Sequence, residues 1–265
     1  MKPKKTQKSI RSSPGKILLQ KFLIIFLMVV AAIIITFSFL FFFRVKTITI
    51  LHNQKITSED ILTAADIPLN RHIFSANIKK AESSILSLSP YIKSVNIKRN
   101  FPSEIIIESE EYQADFYIEI DQKYYLITNT LLVLEEISQS ELLNIDATEL
   151  FLPEINTDSK KFGVGKTIVF LEKKDRETIP QLMKTLSQST LFDSFTKLNL
   201  NEEANLTAVV NGQYTIKFGN KKDLDKKLKL CEEAVEYLSE NMASITGTIH
   251  AWTSKKVTFE ITGVT

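Results

Sequence analysis

The sequence has little of what catalytic and metal sites are made from. Cys231 is the only cysteine, which excludes an internal disulfide bond and a zinc site built on several thiolates. The three histidines, His52, His72 and His250, are far apart in the chain, and none belongs to an H-E-x-x-H metal motif. Cys231 falls at apolar spacing within a predicted helix, so we expect a buried, unreactive thiol.

Glycine-rich loops and paired acid–base groups are also scarce. The chain has only 7 glycines, which leaves few loops able to cradle a cofactor, and no serine lies in a G-x-S-x-G motif. Adjacent carboxylates point away from each other in a strand or a helix, so they do not form one catalytic unit. Such pairs occur at Glu110–Glu111, Glu135–Glu136, Glu202–Glu203 and Glu232–Glu233. These absences indicate a binding protein without cofactor or metal, not an enzyme.

One short stretch, FGVGKT at Phe162–Thr167, ends like a phosphate-binding loop. That loop requires G-x-x-x-x-G-K-[ST], because its first glycine makes the tight turn that lets backbone N–H groups surround the phosphates. Position 160, where this glycine is required, holds Lys160. The residues that follow, Thr167–Leu171, are β-branched and aromatic and predict a strand where the motif needs a helix. We therefore expect no nucleotide binding here.

Positive charge is confined to the N-terminus. Residues 1–21 contain seven lysines and arginines and no acidic residue, which leaves 26 basic against 31 acidic residues in the rest of the chain. Nucleic-acid binding depends on neutralising phosphates, so the acidic remainder argues against a nucleic-acid partner. The sequence predicts that residues 1–21 form a basic cytoplasmic tail.

A long apolar run, Phe22–Phe43, follows the tail. As a helix it spans roughly 33 Å, against about 30 Å for the hydrocarbon core of a bilayer. A cleavable signal has a shorter apolar core and a small-residue cleavage site, but this run ends at Arg44 and Lys46. The sequence therefore predicts a retained single transmembrane helix. The greater basic charge before the run predicts a cytoplasmic N-terminus and puts the rest of the chain outside the membrane.

The segment after the span alternates strand and helix patterns in the order β-α-α-β-β. Thr57–Asp60 has the character of a capping box, and a second helix is predicted to place its apolar residues against a sheet. Those apolar residues are Ile78, Ala81, Ile85 and Leu88. A small α+β domain is expected.

Strand patterns dominate from residue 115 onward. Strands are predicted at Phe116–Ile120, Lys123–Ile127 and Leu131–Leu134, and Asn211-Gly212 predicts a type I′ hairpin turn. Helices are predicted at Ile179–Leu191, with Pro180 in the first turn, and along an apolar stripe from Leu224 to Leu238. Further strands are predicted at Leu206–Val210, Gln213–Phe218, Gly247–Trp252 and Lys256–Ile261. The predicted fold class is α+β, with one transmembrane helix and two domains.

The order of these parts resembles the FtsQ/DivIB family of bacterial cell-division proteins, and the first domain resembles a POTRA domain. The resemblance divides the chain into a tail (1–21), a transmembrane helix (22–43), a POTRA-like domain (44–113) that is expected to fold separately, and an FtsQ/DivIB-type β-rich domain (114–265). The stretches that carry it are Val45–Ile50, Ile73-Phe74, Pro90–Ile92, Val95–Pro102, Ile105–Glu108, Leu152-Pro153, Asn211–Gly219 and Lys227-Leu228.

The resemblance implies a non-enzymatic scaffold at the division septum. Such proteins bind single-span partners of the FtsL and DivIC/FtsB types outside the membrane, and through them help to regulate septal peptidoglycan synthesis. The alternative is a membrane-anchored POTRA protein that serves secretion or envelope assembly. Septal enrichment in dividing cells is the observation that separates the two.

A partner-binding site is predicted near the C-terminus. Gly247–Trp252 is expected to form a strand near the open edge of the second sheet, with Ile249 and Ala251 on one face. In the family that the chain resembles, the partner pairs with a strand in this region, which is β-augmentation. The predicted partner-binding residues are Thr248, Ile249, His250, Ala251 and Trp252. Trp252, the only tryptophan, is either an interface anchor or a core residue.

Overall fold

The computed structural model of the protein describes residues 14–51 and 55–264. Residues 1–13 of the predicted tail, together with His52, lie outside the described residues. Contacts within the chain define two units. Of the described residues, unit 1 comprises 14–51, 57–85 and 95–109, and unit 2 comprises 55–56, 86–94 and 110–264.

The apolar run forms most of helix α1, Pro14–Phe42. Its segment Lys21–Phe42 is 22 residues long with a mean hydropathy of 3.0, and none of its most apolar window is buried in the protein. Large side chains such as Phe22 and Phe37 are about 70% exposed. A helix of this length and composition matches the hydrocarbon thickness of a bilayer, and it is a single-pass membrane anchor. It ends one residue before the predicted limit at Phe43.

Unit 1 carries the predicted β-α-α-β-β order. Its elements are β1 (Thr47–Leu51), α2 (Ser58–Ala65), α3 (Ile78–Leu86), β2 (Ile92–Asn100) and β3 (Glu104–Glu111), with a 3-10 turn at Ile73–Ser75 before α3. The sheet order is β1-β3-β2, and β1 runs parallel to β3 with Thr47 opposite Glu104. The predicted start of α2 is confirmed, because the Thr57 hydroxyl accepts a hydrogen bond from the Asp60 N–H.

The core of the β-α-α-β-β domain is formed by α2, α3 and the sheet. Ala81 and Ile85 of α3 are buried, as predicted, together with Ile105 and Ile107 of β3. The prediction is wrong for Leu88, which is 42% exposed. Since α3 ends at Leu86, the helical spacing that placed Leu88 on the same face no longer applies to it.

The described residues of unit 2 form one nine-stranded mixed sheet. Its strands are β4 (Phe116–Ile120), β5 (Lys123–Ile127), β6 (Val133–Ile137), β7 (Thr148–Phe151), β8 (Phe195–Asn199), β9 (Leu206–Val210), β10 (Tyr214–Gly219), β11 (Ile245–His250) and β12 (Thr258–Val264). Its helices are α4 (Gln139–Leu142), α5 (Lys173–Leu186) and α6 (Leu224–Asn241), with a 3-10 turn at Phe192–Ser194. The strand order is β12-β11-β10-β9-β8-β7-β4-β5-β6. The predicted α+β class is confirmed.

Two local predictions for unit 2 are confirmed in detail. Asn211 and Gly212 have φ angles of 54° and 67°, the two positive values that a type I′ turn between β9 and β10 requires. The apolar stripe of α6 is buried, and Cys231 within it has no exposed surface. Burial raises the pKa of the Cys231 thiol to about 12, so the thiolate needed for reactivity is not formed near neutral pH.

Other predictions for unit 2 are wrong. Helix α5 begins at Lys173, not Ile179, so Pro180 is the eighth residue of the helix instead of lying in its first turn. The apolar spacing starts only at Ile179 because the first turns of α5 are polar. Pro180 has no N–H to donate to the carbonyl of Arg176, four residues earlier in the helix. Both residues are exposed, so this carbonyl is on the solvent side. Thr167–Leu171 forms only isolated bridges, Leu132 with Thr167 and Ile155 with Phe170.

Candidate partner-binding edge

Strand β12 forms one open edge of the large sheet. Within the described residues it pairs only with β11, in an antiparallel register that places Thr248 opposite Glu260 and His250 opposite Thr258. Its outer row of backbone N–H and C=O groups therefore has no neighbouring strand. Such a row is a template for pairing with another chain.

The predicted strand lies next to the open edge of the sheet, one place further in, and not at the edge itself. β11, which contains most of the predicted strand, pairs with β10 on one side and with β12 on the other. Its backbone is therefore not available to a partner. The residues that follow the turn after Trp252 return along β11 as an additional antiparallel strand, and this strand takes the edge.

The side chains of the predicted site residues divide into two groups. Ile249 and Ala251 have no exposed surface, and Thr248 is buried as well. His250 is half-buried, whereas Trp252, just beyond the end of β11, is 63% exposed. The core alternative for Trp252 is therefore wrong. Of the five predicted residues, only His250 and Trp252 reach the surface.

Trp252 borders a cleft of about 490 Å³ whose rim is basic. Lys222, Lys255 and Lys256 line the cleft together with Asp223, and the indole ring packs against His250 with 4.7 Å between ring centroids. Gly219, with a φ of 67°, ends β10 beneath the indole, and a Cβ there would lie 3.4 Å from Trp252 Cδ1. The cleft offers one flat apolar surface surrounded by cations, which suits an apolar side chain flanked by a carboxylate.

Lys227 fixes the backbone that forms one wall of this cleft, a role that was not predicted from the sequence. Its side chain is 2% exposed, and its Nζ donates hydrogen bonds to the carbonyls of Phe218 and Asn220 at 2.9 and 2.8 Å. Burial lowers the pKa of this ammonium group. A signal was present in the sequence, since Lys227 stands between Leu224 and Cys231 on the apolar stripe of α6.

A close crossing of β11 and β12 depends on Gly247. The register shifts between Thr246 and Gly247, and a Cβ at Gly247 would meet the Phe259 ring and would lie 2.5 Å from the Glu260 carbonyl oxygen. Any larger residue would push β12 away from β11. At the end of β11, His250 Nε2 lies 3.2 Å from a carboxylate oxygen of Glu260 on β12. The position of β12 against β11 therefore depends on the missing side chain at Gly247 and on the contact between His250 and Glu260.

The FGVGKT stretch has a structural role. Lys166 Nζ donates to the carbonyl of Ser159 at 2.8 Å, within its own loop, and the next helix begins only at Lys173. In a phosphate-binding loop, a helix begins directly after the motif, and the N–H groups of its first turn bind the phosphate. The geometry agrees with the missing glycine at position 160. In the described part of the chain, no group of three His, Cys, Asp or Glu residues is placed to hold a metal ion.

We expect Lys166→Ala to leave function intact and the protein to bind no nucleotide. The ammonium group of Lys166 donates to the Ser159 carbonyl of its own loop, so the substitution deletes this exposed hydrogen bond and keeps the backbone bond from the Val133 N–H to the Lys166 carbonyl. ATP binding to the purified full-length protein, measured by calorimetry with and without the substitution, checks this. ATP affinity that disappears in Lys166→Ala would refute the interpretation.

These observations define a class: a single-pass membrane protein with a β-α-α-β-β domain and a second, strand-rich α+β domain. The profile of the FtsQ-type POTRA domain matches residues 43–112. The cell division protein DivIB of Clostridium tetani is 30% identical over 190 residues, which cover 71% of this chain and 68% of that protein. DivIB of Clostridium botulinum strain Hall is 26% identical over 213 residues, 79% of each chain. DivIB of Clostridium acetobutylicum is 30% identical over 141 residues, 51% of this chain and 56% of that protein.

The chain therefore belongs to the DivIB/FtsQ family of bacterial cell-division proteins, as its sequence resemblance predicts. Its relatives are named for cell division and not for a chemical reaction. The protein has a role in the divisome, and α1 anchors it in the membrane by a single pass.

Proposed function

We propose that this protein is a non-enzymatic scaffold of the divisome that binds FtsL-like and DivIC/FtsB-like single-span proteins outside the membrane. Through these partners it helps to regulate septal peptidoglycan synthesis. The observation that carries the proposal is the open backbone edge of β12 beside the exposed Trp252. This edge provides a docking surface, whereas the described residues bring no catalytic groups together.

The partner segment is an extended strand that adds to the sheet next to β12. Main-chain hydrogen bonds supply affinity in this mode, and alternate side chains supply specificity. β12 spans seven residues, Thr258–Val264, which corresponds to roughly 23 Å of strand. This length is enough for several backbone hydrogen bonds on the outer side.

Trp252 is the apolar anchor of this interface, and the lysines around it select an acidic partner. Aromatic residues that are exposed in the free protein and covered in the complex dominate binding energies. Lys222, Lys255 and Lys256 at the rim attract a carboxylate and raise the association rate. The buried Thr248, Ile249 and Ala251 of the predicted site support this surface from below.

Replacing Trp252 by Ala is expected to weaken partner binding by about 2 kcal/mol, or about 30-fold in Kd. The ring is mostly exposed, so the fold does not need it. The measurement is the affinity of the full-length protein for each partner in detergent or nanodiscs. Tyr237→Ala is the matched control, because Tyr237 is 58% exposed on α6 and does not border the cleft. Equal affinities for both variants and the wild type would exclude Trp252 as the anchor.

The topology we propose has the N-terminus in the cytoplasm and the chain from Arg44 onward outside the membrane. Seven basic residues precede the apolar run that begins at Phe22, and only Arg44 and Lys46 follow it closely, which agrees with the positive-inside rule. Protease added outside intact protoplasts is expected to digest nearly everything beyond Arg44. Survival of unit 2 under these conditions, or a mature protein that begins near residue 44, would contradict the proposal.

A fluorescent fusion in dividing cells tests the cellular role. We expect enrichment at the division septum, because a divisome scaffold assembles with its partners there. An even distribution over the membrane throughout the cycle would favour the secretion or envelope-assembly alternative.

A further inference from the structure

Among the described residues, five aromatic rings gather where the membrane helix meets the β-α-α-β-β domain. We call this group the aromatic collar; it consists of Phe39, Phe43, His72, Phe74 and Phe101. Ring centroids are 6.3 Å apart for Phe43 and Phe74, 6.0 Å for Phe43 and Phe101, and 5.3 Å for Phe74 and Phe101. The collar therefore joins the last turn of α1 to two loops that lie far apart in sequence.

Backbone hydrogen bonds hold these three segments together. The Ile73 N–H donates to the Phe43 carbonyl at 2.7 Å, and the Lys46 N–H donates to the Ser103 carbonyl at 2.8 Å. Arg44 forms an isolated bridge with His72. The collar is thus part of the folded domain, because hydrogen bonds fix the backbone segments that carry its rings.

The outer rings of the collar are exposed although the fold has a core beside them. Phe74 and Phe101 are 53% and 52% exposed, whereas Ile73, next to Phe74, has no exposed surface. Exposing two phenylalanine rings to water costs free energy in proportion to their apolar area. A medium that accepts half-buried aromatic rings removes this cost.

The end of the membrane span predicts that the collar lies at the depth of the membrane surface. Phe39 belongs to the span Lys21–Phe42, and the Phe74 ring stacks on it with 6.5 Å between centroids and 11° between planes. Phe43 is the first residue after the span. A ring that stacks on the last turn of a membrane helix is near the boundary between acyl chains and headgroups, the depth at which tryptophan and tyrosine are enriched; the more apolar phenylalanine rings favour the acyl-chain side of this boundary.

The surrounding charge matches an anionic lipid surface. Residues 41–46, 67–76 and 99–103 contain Arg44, Lys46, Arg71 and Arg99 and no Asp or Glu. The acidic residues that flank these ranges are engaged elsewhere: Asp66 pairs with Lys80, and Glu104 accepts from Thr49 and Asn100. Arg99 is fixed by hydrogen bonds to the carbonyls of Ile73 and Ala76 at 3.0 and 2.8 Å, with its guanidinium carbon 6.0 Å from the Phe74 ring centroid. Each basic side chain near such a surface contributes roughly 1 kcal/mol of attraction to acidic lipids.

We propose that the aromatic collar inserts into the lipid interface of the leaflet from which unit 1 emerges, and that anionic headgroups bind its basic rim. The POTRA domain is then held directly on the membrane by two contacts, the helix and the collar. This inference depends on the membrane anchor and is independent of the proposed partners and of the direction of insertion.

Lipid-attached quenchers test the insertion in the full-length protein. On a Trp252→Phe background, single tryptophans are introduced as Phe74→Trp, Phe101→Trp or Leu51→Trp, and each protein is reconstituted into vesicles of phosphatidylcholine and phosphatidylglycerol. Leu51 is the matched control, since it is 38% exposed at the far end of β1, roughly 13 Å along the strand from Thr47. Lipids brominated high on the acyl chain are expected to quench most of the emission at positions 74 and 101 and little at 51.

The outcomes separate the possible occupants. Quenching at 74 or 101 that exceeds quenching at 51, and that weakens when phosphatidylglycerol is omitted, supports the proposal; the two positions are independent if one variant folds poorly. Equal quenching at all three positions, or none at 74 and 101, overturns it. Collar tryptophans that are shielded from aqueous acrylamide but not quenched by brominated lipid would mean that a second copy or another protein covers the collar, which also overturns it.

Discussion

A proline in β12 is expected to abolish binding of the FtsL-like and DivIC/FtsB-like partners while unit 2 stays folded, provided that it replaces a residue whose N–H faces away from β11. Of two neighbouring residues, Glu260 and Ile261, one meets this condition. Successive N–H groups of a strand point to opposite sides, so one of these two donates outward and the other donates to β11. The outward proline removes a hydrogen bond that only a partner strand would use. The inward proline detaches β12 and loosens the edge. Co-purification of the full-length variants with each partner measures the effect.

The matched controls are Glu260→Ala and Ile261→Ala, which change the same side chains and keep both N–H groups. If the main chain carries the affinity, these variants retain most of the binding that the proline variant loses. Gly247→Ala supplies an independent test, because a Cβ at this position displaces β12 without changing its sequence. Partner binding that survives in every folded variant would show that β12 is not the docking edge.

Replacing Ile85 by Ala is expected to lower the free energy of unfolding of unit 1 by about 2–5 kcal/mol. Ile85 has no exposed surface and lies in the core that α3 shares with the sheet, where Ile105 and Ile107 are also fully buried. Truncation loses the transfer free energy of the side chain and leaves a cavity. Hydrogen exchange of the β1 and β3 amides in the full-length protein reports the stability of this unit without separating it from the rest.

Leu62→Ala is the control for this prediction, because Leu62 is on α2 of the same unit and is 40% exposed. Its truncation removes a similar volume from a site that water already reaches, so we expect a loss below about 1 kcal/mol. A change below about half a kcal/mol for Ile85→Ala would mean that this face of α3 does not carry the core.

Local patterns accounted for the elements whose neighbours are close in sequence. The membrane helix was predictable because hydropathy over some twenty residues is a local quantity. The hairpin at Asn211-Gly212 was predictable since both residues tolerate a positive φ. The capped start of α2 at Thr57 and the stripe of α6 follow from contacts three or four residues apart.

Central strands and helix limits were harder to predict. β7 and β8 were missed; each is four or five residues long and they pair in parallel across a separation of more than forty residues. Their short sequences carry too little alternation to be recognised alone. The start of α5 was missed because its first turns are polar, so the period of its apolar residues begins late.

The sequence by itself determined the order of the parts, the membrane anchor, the β-α-α-β-β domain and the family, because each depends on local patterns or on their succession along the chain. Only the tertiary structure decided which backbone is open to a partner. β11 and β12 both have the composition of strands, and the pairing of β11 with β10 and β12 alone makes β12 the edge. The exposure of Trp252 and the aromatic collar were decided in the same way. Each depends on contacts between segments that are far apart in sequence, and local sequence patterns do not predict such contacts.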